Sequence, residues 1–243
     1  MLKNWRYLAY SIWAALTLVH SSCTKETTPP LPDLGFVDTS ETKPWLDNTN
    51  FGVYKGVLTG NSGRIKIYFN NGDEVMKAYL WLDSLSDSLI CTQPQVLGQP
   101  VIAAFFQGRI SSFTFTTDED GRNASLDNFI VQNRINVFGV IAHESTNQQV
   151  YCYESRFTGT TTGNFNFIRY GNLAQGLSRN ARGETFIGKG LATESVFRLD
   201  LNGPLSAINN FQGGIEVSTG DYVSGSWSNS ISGSGVFSGQ RTQ

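Results

Sequence analysis

A three-residue motif recurs along this chain: an aromatic residue, any one residue, and then a glycine. Its clearest copies end in Gly56, Gly108, Gly159 and Gly239, and a weaker copy ends in Gly188. Several copies lead into segments where apolar and polar residues alternate, which is the period of a half-buried β-strand. Glycine inside a strand lets a sheet bend, and a neighbouring aromatic ring covers the bare backbone. The motif therefore predicts an all-β fold: an antiparallel, Gly-kinked meander that forms a barrel or a sandwich.

The end of the chain shows this pattern most clearly. Residues 222–227 and 235–241 predict two strands joined by a turn of small residues. Because alternate residues of a strand share a face, Phe237 and Gly239 should lie on one face and Ser238 on the other. If the glycine marks a bend in the sheet, a side chain at position 239 would collide with the neighbouring strand.

The folded domain is expected to span residues 50–243. Its last third repeats the early meander in looser form, so the sequence allows two similar halves, with a subdivision near residues 171–183. Residues 172–180 form the one plausible helical turn. Residues 75–83 are apolar or aromatic on both faces, which fits a strand inside a sandwich, or in a barrel with a filled or ligand-holding interior.

Residues 1–22 have the organisation of a secretory signal peptide. Lys3 and Arg6 precede an apolar stretch, residues 8–19. That stretch is too short to span a bilayer well, as is typical of a signal peptide. The sequence therefore predicts export.

The small residues Ser21 and Ser22 stand directly before Cys23. Here the leader resembles that of a bacterial lipoprotein, in which this cysteine is acylated and becomes the mature N-terminus. His20 stands where such leaders usually have leucine. The resemblance implies that Cys23 carries a lipid and anchors the exported protein to the outer membrane or cell surface of a bacterium. The alternative is ordinary secretion, with Cys23 as a bystander.

Residues 23–49 are expected to form a flexible linker after the lipidated cysteine. The stretch 24–33 has three prolines among ten residues and no apolar periodicity, which favours extended conformations. Such a segment would hold a domain away from a membrane. Trp45 is expected to cover one end of the domain as an apolar plug.

Composition and motifs argue against several classes of partner. Charged residues make up 16% of the chain and the formal net charge is −2. The sequence lacks the Lys/Arg cluster that nucleic-acid binding normally requires, so no nucleic-acid partner is expected. It also lacks a phosphate-binding loop and a dinucleotide fingerprint, so no cofactor is expected.

The remaining cysteines, Cys91 and Cys152, form an even pair once Cys23 is acylated. In an oxidising compartment they could form one disulfide that closes a loop of about 60 residues. They could equally remain two buried free thiols that pack as small apolar side chains. The sequence leaves both alternatives open.

His143 is the one histidine outside the leader. No metal site is expected from it, and we interpret it as an exposed loop residue because the sequence around it is polar. The acidic turn at residues 118–121 has some of the oxygen ligands of a calcium loop. Thr116 and Asp127 stand where such a loop needs other ligands, so a solvated turn is the better interpretation.

Aromatic residues are the remaining functional signal. Tyr79 and Trp81 share one face of a predicted strand beside Lys77, and the opposite face already supplies four apolar residues. Tyr151 and Tyr153 share a face of a later strand. Aromatic rings stack on sugars and line apolar cavities, although a β core uses the same residues. These two pairs are the candidate ligand-binding residues.

The first predicted strand carries Gly52 and Tyr54, and the last predicted strand ends in Arg241. This arrangement is similar to that of calycins, the lipocalin-type up-and-down barrels. In calycins a basic residue on the last strand packs over a tryptophan of a Gly-x-Trp sequence on the first strand, and tyrosine replaces that tryptophan here. The resemblance implies a barrel.

The sequence thus predicts a non-catalytic cell-envelope lipoprotein that binds a small apolar ligand or a glycan. Two alternatives stay open. One is a purely structural envelope protein. The other is a glycan hydrolase with paired carboxylates, for which the candidates are Asp83, Asp87, Glu144, Glu154, Glu184 and Asp200.

Overall fold

The structure is a computed structural model that describes residues 39–72, 75–231 and 233–243, apart from the side chain of Leu205. The predicted signal peptide, Cys23 and most of the predicted linker lie outside these residues. Within them the only helical elements are two single 3-10 turns, Pro44–Leu46 and Pro204–Ser206, and the rest of the regular structure is strand. The all-β prediction is confirmed.

Eight antiparallel strands form the first sheet, and the sheet is nearly closed. They are β1 (Gly52–Leu58), β2 (Gly63–Phe69), β3 (Met76–Leu82), β4 (Leu85–Cys91), β5 (Val101–Gln107), β6 (Ser111–Thr117), β7 (Ser125–Val131) and β8 (Gly139–Glu144). Strands β1 to β7 are neighbours in chain order. Strand β8 returns to pair with β1, which places β7 and β8 at the two edges.

The other eight strands form a closed antiparallel barrel. They are β9 (Val150–Gly159), β10 (Gly163–Tyr170), β11 (Leu173–Asn180), β12 (Thr185–Ala192), β13 (Val196–Asn202), β14 (Ile208–Ile215), β15 (Tyr222–Asn229) and β16 (Gly233–Arg241). Strand β9 pairs with both β10 and β16, which closes the barrel. Of the barrel and the sandwich that the sequence predicted as alternatives, the structure has the barrel, and the two similar halves that the sequence allowed are present.

The chain passes from the first sheet to the barrel at residues 145–149. Residues 171–183, where the sequence allowed a subdivision, contain β11 and lie within the barrel. The helical turn predicted at residues 172–180 is wrong, because these residues pair with β10 and β12 along their length. Alternation of buried and exposed side chains, imposed by both neighbours, outweighs the weak local helical tendency.

The interior of the first sheet is apolar and rich in aromatic rings. Side chains of β3 alternate between the two faces of the sheet. Its four apolar residues point inward, whereas Lys77, Tyr79 and Trp81 lie half-buried on the outer face. Phe106 and Phe113 stack with centroids 5.0 Å apart, and Phe115 packs on Tyr54 at 4.8 Å.

The interior of the barrel is filled by side chains. Phe165 stacks on Phe211 with ring centroids 3.9 Å apart, and Phe167 packs on Phe197 at 4.5 Å. Small inward-facing residues on β11 and β12 make room for these rings. These residues are Ala174, Gly176, Ser178, Gly188 and Gly190. Of the two interiors that the sequence allowed, the barrel therefore has the filled one.

Glycines lie where strands of the barrel approach closely, and the collision predicted for a side chain at position 239 is confirmed. A Cβ added at Gly239 would lie 2.2 Å from the carbonyl oxygen of Glu154 on the neighbouring strand. The Phe237 ring covers another bare position, since a Cβ at Gly213 would lie 2.8 Å from its Cζ atom. Only glycine allows the strands to approach this closely.

An apolar seam joins the outer face of the first sheet to the outer face of the barrel. Strand β1 is buried at all seven positions: Tyr54 and Leu58 lie in the sheet interior, and on the outer face Val57 packs in this seam while Lys55 contacts Glu144. Asn166 on β10 adds a polar contact by donating from Nδ2 to the carbonyl oxygen of Leu58 at 2.9 Å. The seam residues are Val57, Val140, Ala142, Val150, Cys152, Ile168 and Leu177.

Folded structure begins earlier than residue 50. Glu41 and Thr42 contact the first sheet, where the Thr42 hydroxyl accepts a hydrogen bond from the backbone N–H of Val53 at 3.0 Å. Leu46 is buried, whereas Trp45 is 70% exposed. The prediction that Trp45 plugs the domain is therefore wrong, and Leu46 takes that place because the 3-10 turn directs it inward.

Candidate functional site

Three aromatic side chains form a row on the outer face of the first sheet, which we call the aromatic strip: Tyr68, Tyr79 and Trp81. The ring centroids of Tyr68 and Tyr79 are 6.1 Å apart, and those of Tyr79 and Trp81 are also 6.1 Å apart. All three side chains are half-buried. The sequence pointed to Tyr79 and Trp81 and missed Tyr68, which the β2–β3 register brings beside them.

Polar side chains flank the strip on both sides. Register places Arg64 opposite Trp81 and Lys77 opposite Tyr68 on the β2–β3 pair. On the other side, Ser86 and Ser88 of β4 lie opposite Trp81 and Tyr79. The strip therefore places three rings, whose neighbouring planes are inclined by 82° and 41°, within one strand spacing of cations and hydroxyl groups.

A buried ion cluster fixes one end of the strip. Nζ of Lys66 lies 2.7 Å from Oε2 of Glu41, and Nζ of Lys55 lies 2.7 Å from Oε1 of Glu144 and 3.1 Å from Glu41. The Tyr68 hydroxyl donates to Oε1 of Glu41 at 2.7 Å. These contacts hold residue 41 and the strip in one arrangement.

The surroundings of Glu41 and Lys55 favour the charged forms of both groups. Burial alone would raise the pKa of the Glu41 carboxyl, but hydrogen bonds from Lys66 and Tyr68 and the charge of Lys55 bring it below its usual value. Burial likewise opposes the charge on Lys55, and the carboxylates of Glu144 and Glu41 nevertheless raise its pKa. A carboxylate held in this way serves as a structural anchor and is poorly suited to proton transfer.

Tyr151 and Tyr153 lie far along the chain from the strip and belong to the barrel. Tyr153 is completely buried; its ring stacks on Phe167 at 4.7 Å, and its hydroxyl donates to the carbonyl oxygen of Gly220 at 3.1 Å. Tyr151 lies at the end of the barrel and lines a polar cavity of about 710 Å³. The two predicted aromatic pairs are therefore separate, and Tyr153 is a core residue.

Two guanidinium groups pack on the Tyr151 ring. Cζ of Arg169 lies 4.5 Å from the ring centroid and Cζ of Arg241 lies 5.5 Å from it. Tyr54, which stands in place of the calycin tryptophan, is not the tyrosine that Arg241 covers, because it belongs to the interior of the first sheet. A basic residue of the last strand does cover a tyrosine, but the tyrosine is on the first strand of the barrel.

Both described cysteines are free thiols. Cys91 lies in the interior of the first sheet, whereas Cys152 lies in the apolar seam. Burial raises the pKa of Cys152 to about 12, and it also raises the pKa of Cys91. Of the two alternatives, the structure has buried, unreactive thiols.

The interpretation of His143 as an exposed loop residue is wrong. His143 lies on β8, and its ring packs on Tyr54 with centroids 4.8 Å apart. Nε2 lies 2.9 Å from the carbonyl oxygen of Phe51, so Nε2 carries the proton and Nδ1 is the unprotonated nitrogen. Burial lowers the pKa of the imidazole, which favours its neutral form.

The candidate catalytic carboxylates are used in local structure. Asp87 accepts hydrogen bonds from three backbone N–H groups, and Glu154 contacts Arg64 at 3.4 Å and the Gly63 N–H at 3.1 Å. The remaining four contact nearby donors: Asp83, Glu144, Glu184 and Asp200. In the described ranges no cluster of His, Cys, Asp and Glu is arranged to hold a metal ion.

A cleft of about 700 Å³ lies between the two sheets, and we call it the inter-sheet cleft. One wall consists of the loop at residues 120–124 together with Asn48 and the end of β8. The other wall is the outer face of β10–β12. Sequence reasoning missed this cleft because its walls come from separate β-sheets.

Across the part of the chain that the structure describes, no helix has the length and apolar character needed to cross a membrane. Comparison with protein-family models, with curated proteins and with solved structures finds no match to this chain.

Proposed function

We propose that this protein is a non-catalytic binding module of the bacterial cell envelope that binds a glycan on the aromatic strip. The observation that carries the proposal is the row of half-exposed rings formed by Tyr68, Tyr79 and Trp81. The opposite face of β3 already fills the core, so packing of the core does not require these rings. Sugars stack their apolar faces on such rings, and their hydroxyl groups would pair with the flanking polar side chains.

The filled barrel favours a glycan on the outer face over a small apolar ligand in the barrel interior. Phe165, Phe167 and Phe211 occupy the volume that such a ligand would need. Moving them would cost the packing that holds the barrel together.

The carboxylate contacts favour binding over hydrolysis. A glycosidase needs two carboxyl groups roughly 5–10 Å apart across an accessible groove. Glu144 is neutralised by Lys55, and Asp87 is buried among backbone donors. Neither carboxylate is presented to a ligand on the strip.

Export and lipid anchoring through Cys23 are part of this proposal, and they rest on the leader sequence alone. We expect Cys23→Ser to abolish incorporation of a labelled fatty acid and to release the protein from the membrane fraction. Unchanged labelling and partitioning would remove the anchoring part of the proposal without affecting the binding part.

The binding proposal is tested by substitution in the strip. Binding of the protein to an array of defined oligosaccharides should identify a ligand, and Trp81→Ala should weaken its affinity at least tenfold. Loss of a ring that stacks on a nucleic-acid base costs about 1–3 kcal/mol, and a loss of about 1.4 kcal/mol or more on a sugar would give that factor. Affinity would be measured by isothermal titration calorimetry.

Trp45→Ala is the matched control, because Trp45 is also a surface tryptophan but lies outside the strip. It should leave glycan affinity unchanged, and both variants should keep the wild-type circular dichroism spectrum. Equal effects of the two substitutions, or the lack of any glycan ligand, would contradict the proposal.

A further inference from the structure

The inter-sheet cleft has one wall that is unusually apolar for an exposed surface. Leu173 and Leu191 lie directly opposite each other on β11 and β12, and they are 47% and 69% exposed. Tyr170 extends this wall along β10. An apolar wall that is left open inside a cleft, rather than covered by the fold, is typical of a binding surface.

The facing wall is polar. Asn48, Asn123 and Ser145 contribute amide and hydroxyl groups, and neutral His143 lies behind them. Asp120 and Arg122 neutralise each other, with Oδ2 and Nε 3.2 Å apart. The facing wall therefore contributes little net charge.

Lys189 supplies the cleft with one uncompensated positive charge. It lies two residues from Leu191 on the same outer face of β12 and lines the cleft. Asp200 is directly opposite it on β13, but the Asp200 carboxylate contacts Nε of Arg198, at 3.9 Å. Among the described residues Lys189 forms no ion pair.

We propose that the inter-sheet cleft binds a small amphipathic anion, with its apolar body against Leu173 and Leu191 and its acidic head group at Lys189. The volume of about 700 Å³ is in the usual range for small-molecule sites. The cleft is continuous with the apolar seam, since Ala142 belongs to both. This site is separate from the aromatic strip, which is on the outer face of β2 and β3.

Decanoate is the probe for this site, and 1-decanol is its uncharged counterpart. The full chain carrying Cys23→Ser can be studied by titration calorimetry without detergent. Decanoate is kept below its critical micelle concentration. We expect saturable, one-site binding of decanoate, weakened at least tenfold by Leu191→Asn. Lys189→Gln should weaken decanoate binding about threefold and leave 1-decanol binding unchanged, because an exposed ion pair contributes little.

Val236→Asn is the matched control, since Val236 is similarly exposed on the outer face of the same barrel but outside the cleft. It should leave decanoate binding unchanged, as should Trp81→Ala in the aromatic strip. The cleft is not the site if decanoate fails to saturate, or if Leu191→Asn binds it as well as Val236→Asn does. Equal effects of Lys189→Gln on decanoate and 1-decanol would overturn the role of Lys189.

Discussion

Position 239 has no room for a side chain, although it lies within a strand. A Cβ there would approach the Glu154 carbonyl oxygen at 2.2 Å and the Ser155 Cα at 2.6 Å, whereas Ser238 is exposed. Gly239→Val should therefore destabilise the protein by about 1–3 kcal/mol through overpacking. Ser238→Val should be neutral or mildly stabilising, because valine favours strands.

Chemical denaturation of the two variants measures this contrast between adjacent positions. Strand propensity alone would give both substitutions the same sign. Equal midpoints, or a lower midpoint for Ser238→Val, would show that position 239 tolerates a side chain despite the close approach of the neighbouring strand.

The residue-scale features that could be predicted are those set by neighbours along the chain. Alternation places Phe237, Gly239 and Trp81 on their observed faces, because successive side chains of any strand point in opposite directions. His143 could not be placed in this way. Its burial depends on Phe51 and Gly121, which come from distant parts of the sequence.

At the scale of elements, β4 and β5 are joined by a side chain as much as by backbone pairing. Their ladder consists of the single pair Ile90 and Gln107. The Asp87 carboxylate bridges to the β5–β6 turn, where it accepts hydrogen bonds from the N–H groups of Ile110 and Ser111 at 2.9 Å and from the Ser111 hydroxyl at 2.7 Å. The bridge joins residues 23 and 24 positions apart in the sequence, which no strand pattern indicates.

Asp87→Ala should destabilise the protein by about 3 kcal/mol, because it leaves buried backbone donors without their charged acceptor. Asp200→Ala is the control: Asp200 is exposed, and its loss should change stability by less than about 0.5 kcal/mol. Urea denaturation would give both values. Similar midpoints for the two variants would show that the backbone, rather than Asp87, holds β4 to β5.

At the scale of the whole molecule, the strands could be predicted and their partition could not. Hairpin pairing follows from short-range turns, so most neighbours within each sheet could be anticipated. The return of β8 to β1 and the closure of β9 on β16 join residues far apart in sequence. Residues 145–149 carry no change of composition that would mark the passage between the sheets. The inter-sheet cleft could not be predicted either, because its walls come from residues of both sheets that are far apart in sequence.

We propose that ligands bind on outer surfaces of this protein while the barrel interior stays filled. Three tryptophans in the described residues report on different places: Trp81 in the aromatic strip, Trp227 inside the barrel, and Trp45 on the surface elsewhere. Titration of the protein with its best oligosaccharide ligand, followed by NMR of the indole N–H signals, tests the claim most directly. We expect the Trp81 signal to shift and the signals of Trp227 and Trp45 to stay unchanged. A shift of the Trp227 signal with Trp81 unchanged would place the ligand in the barrel and contradict the claim.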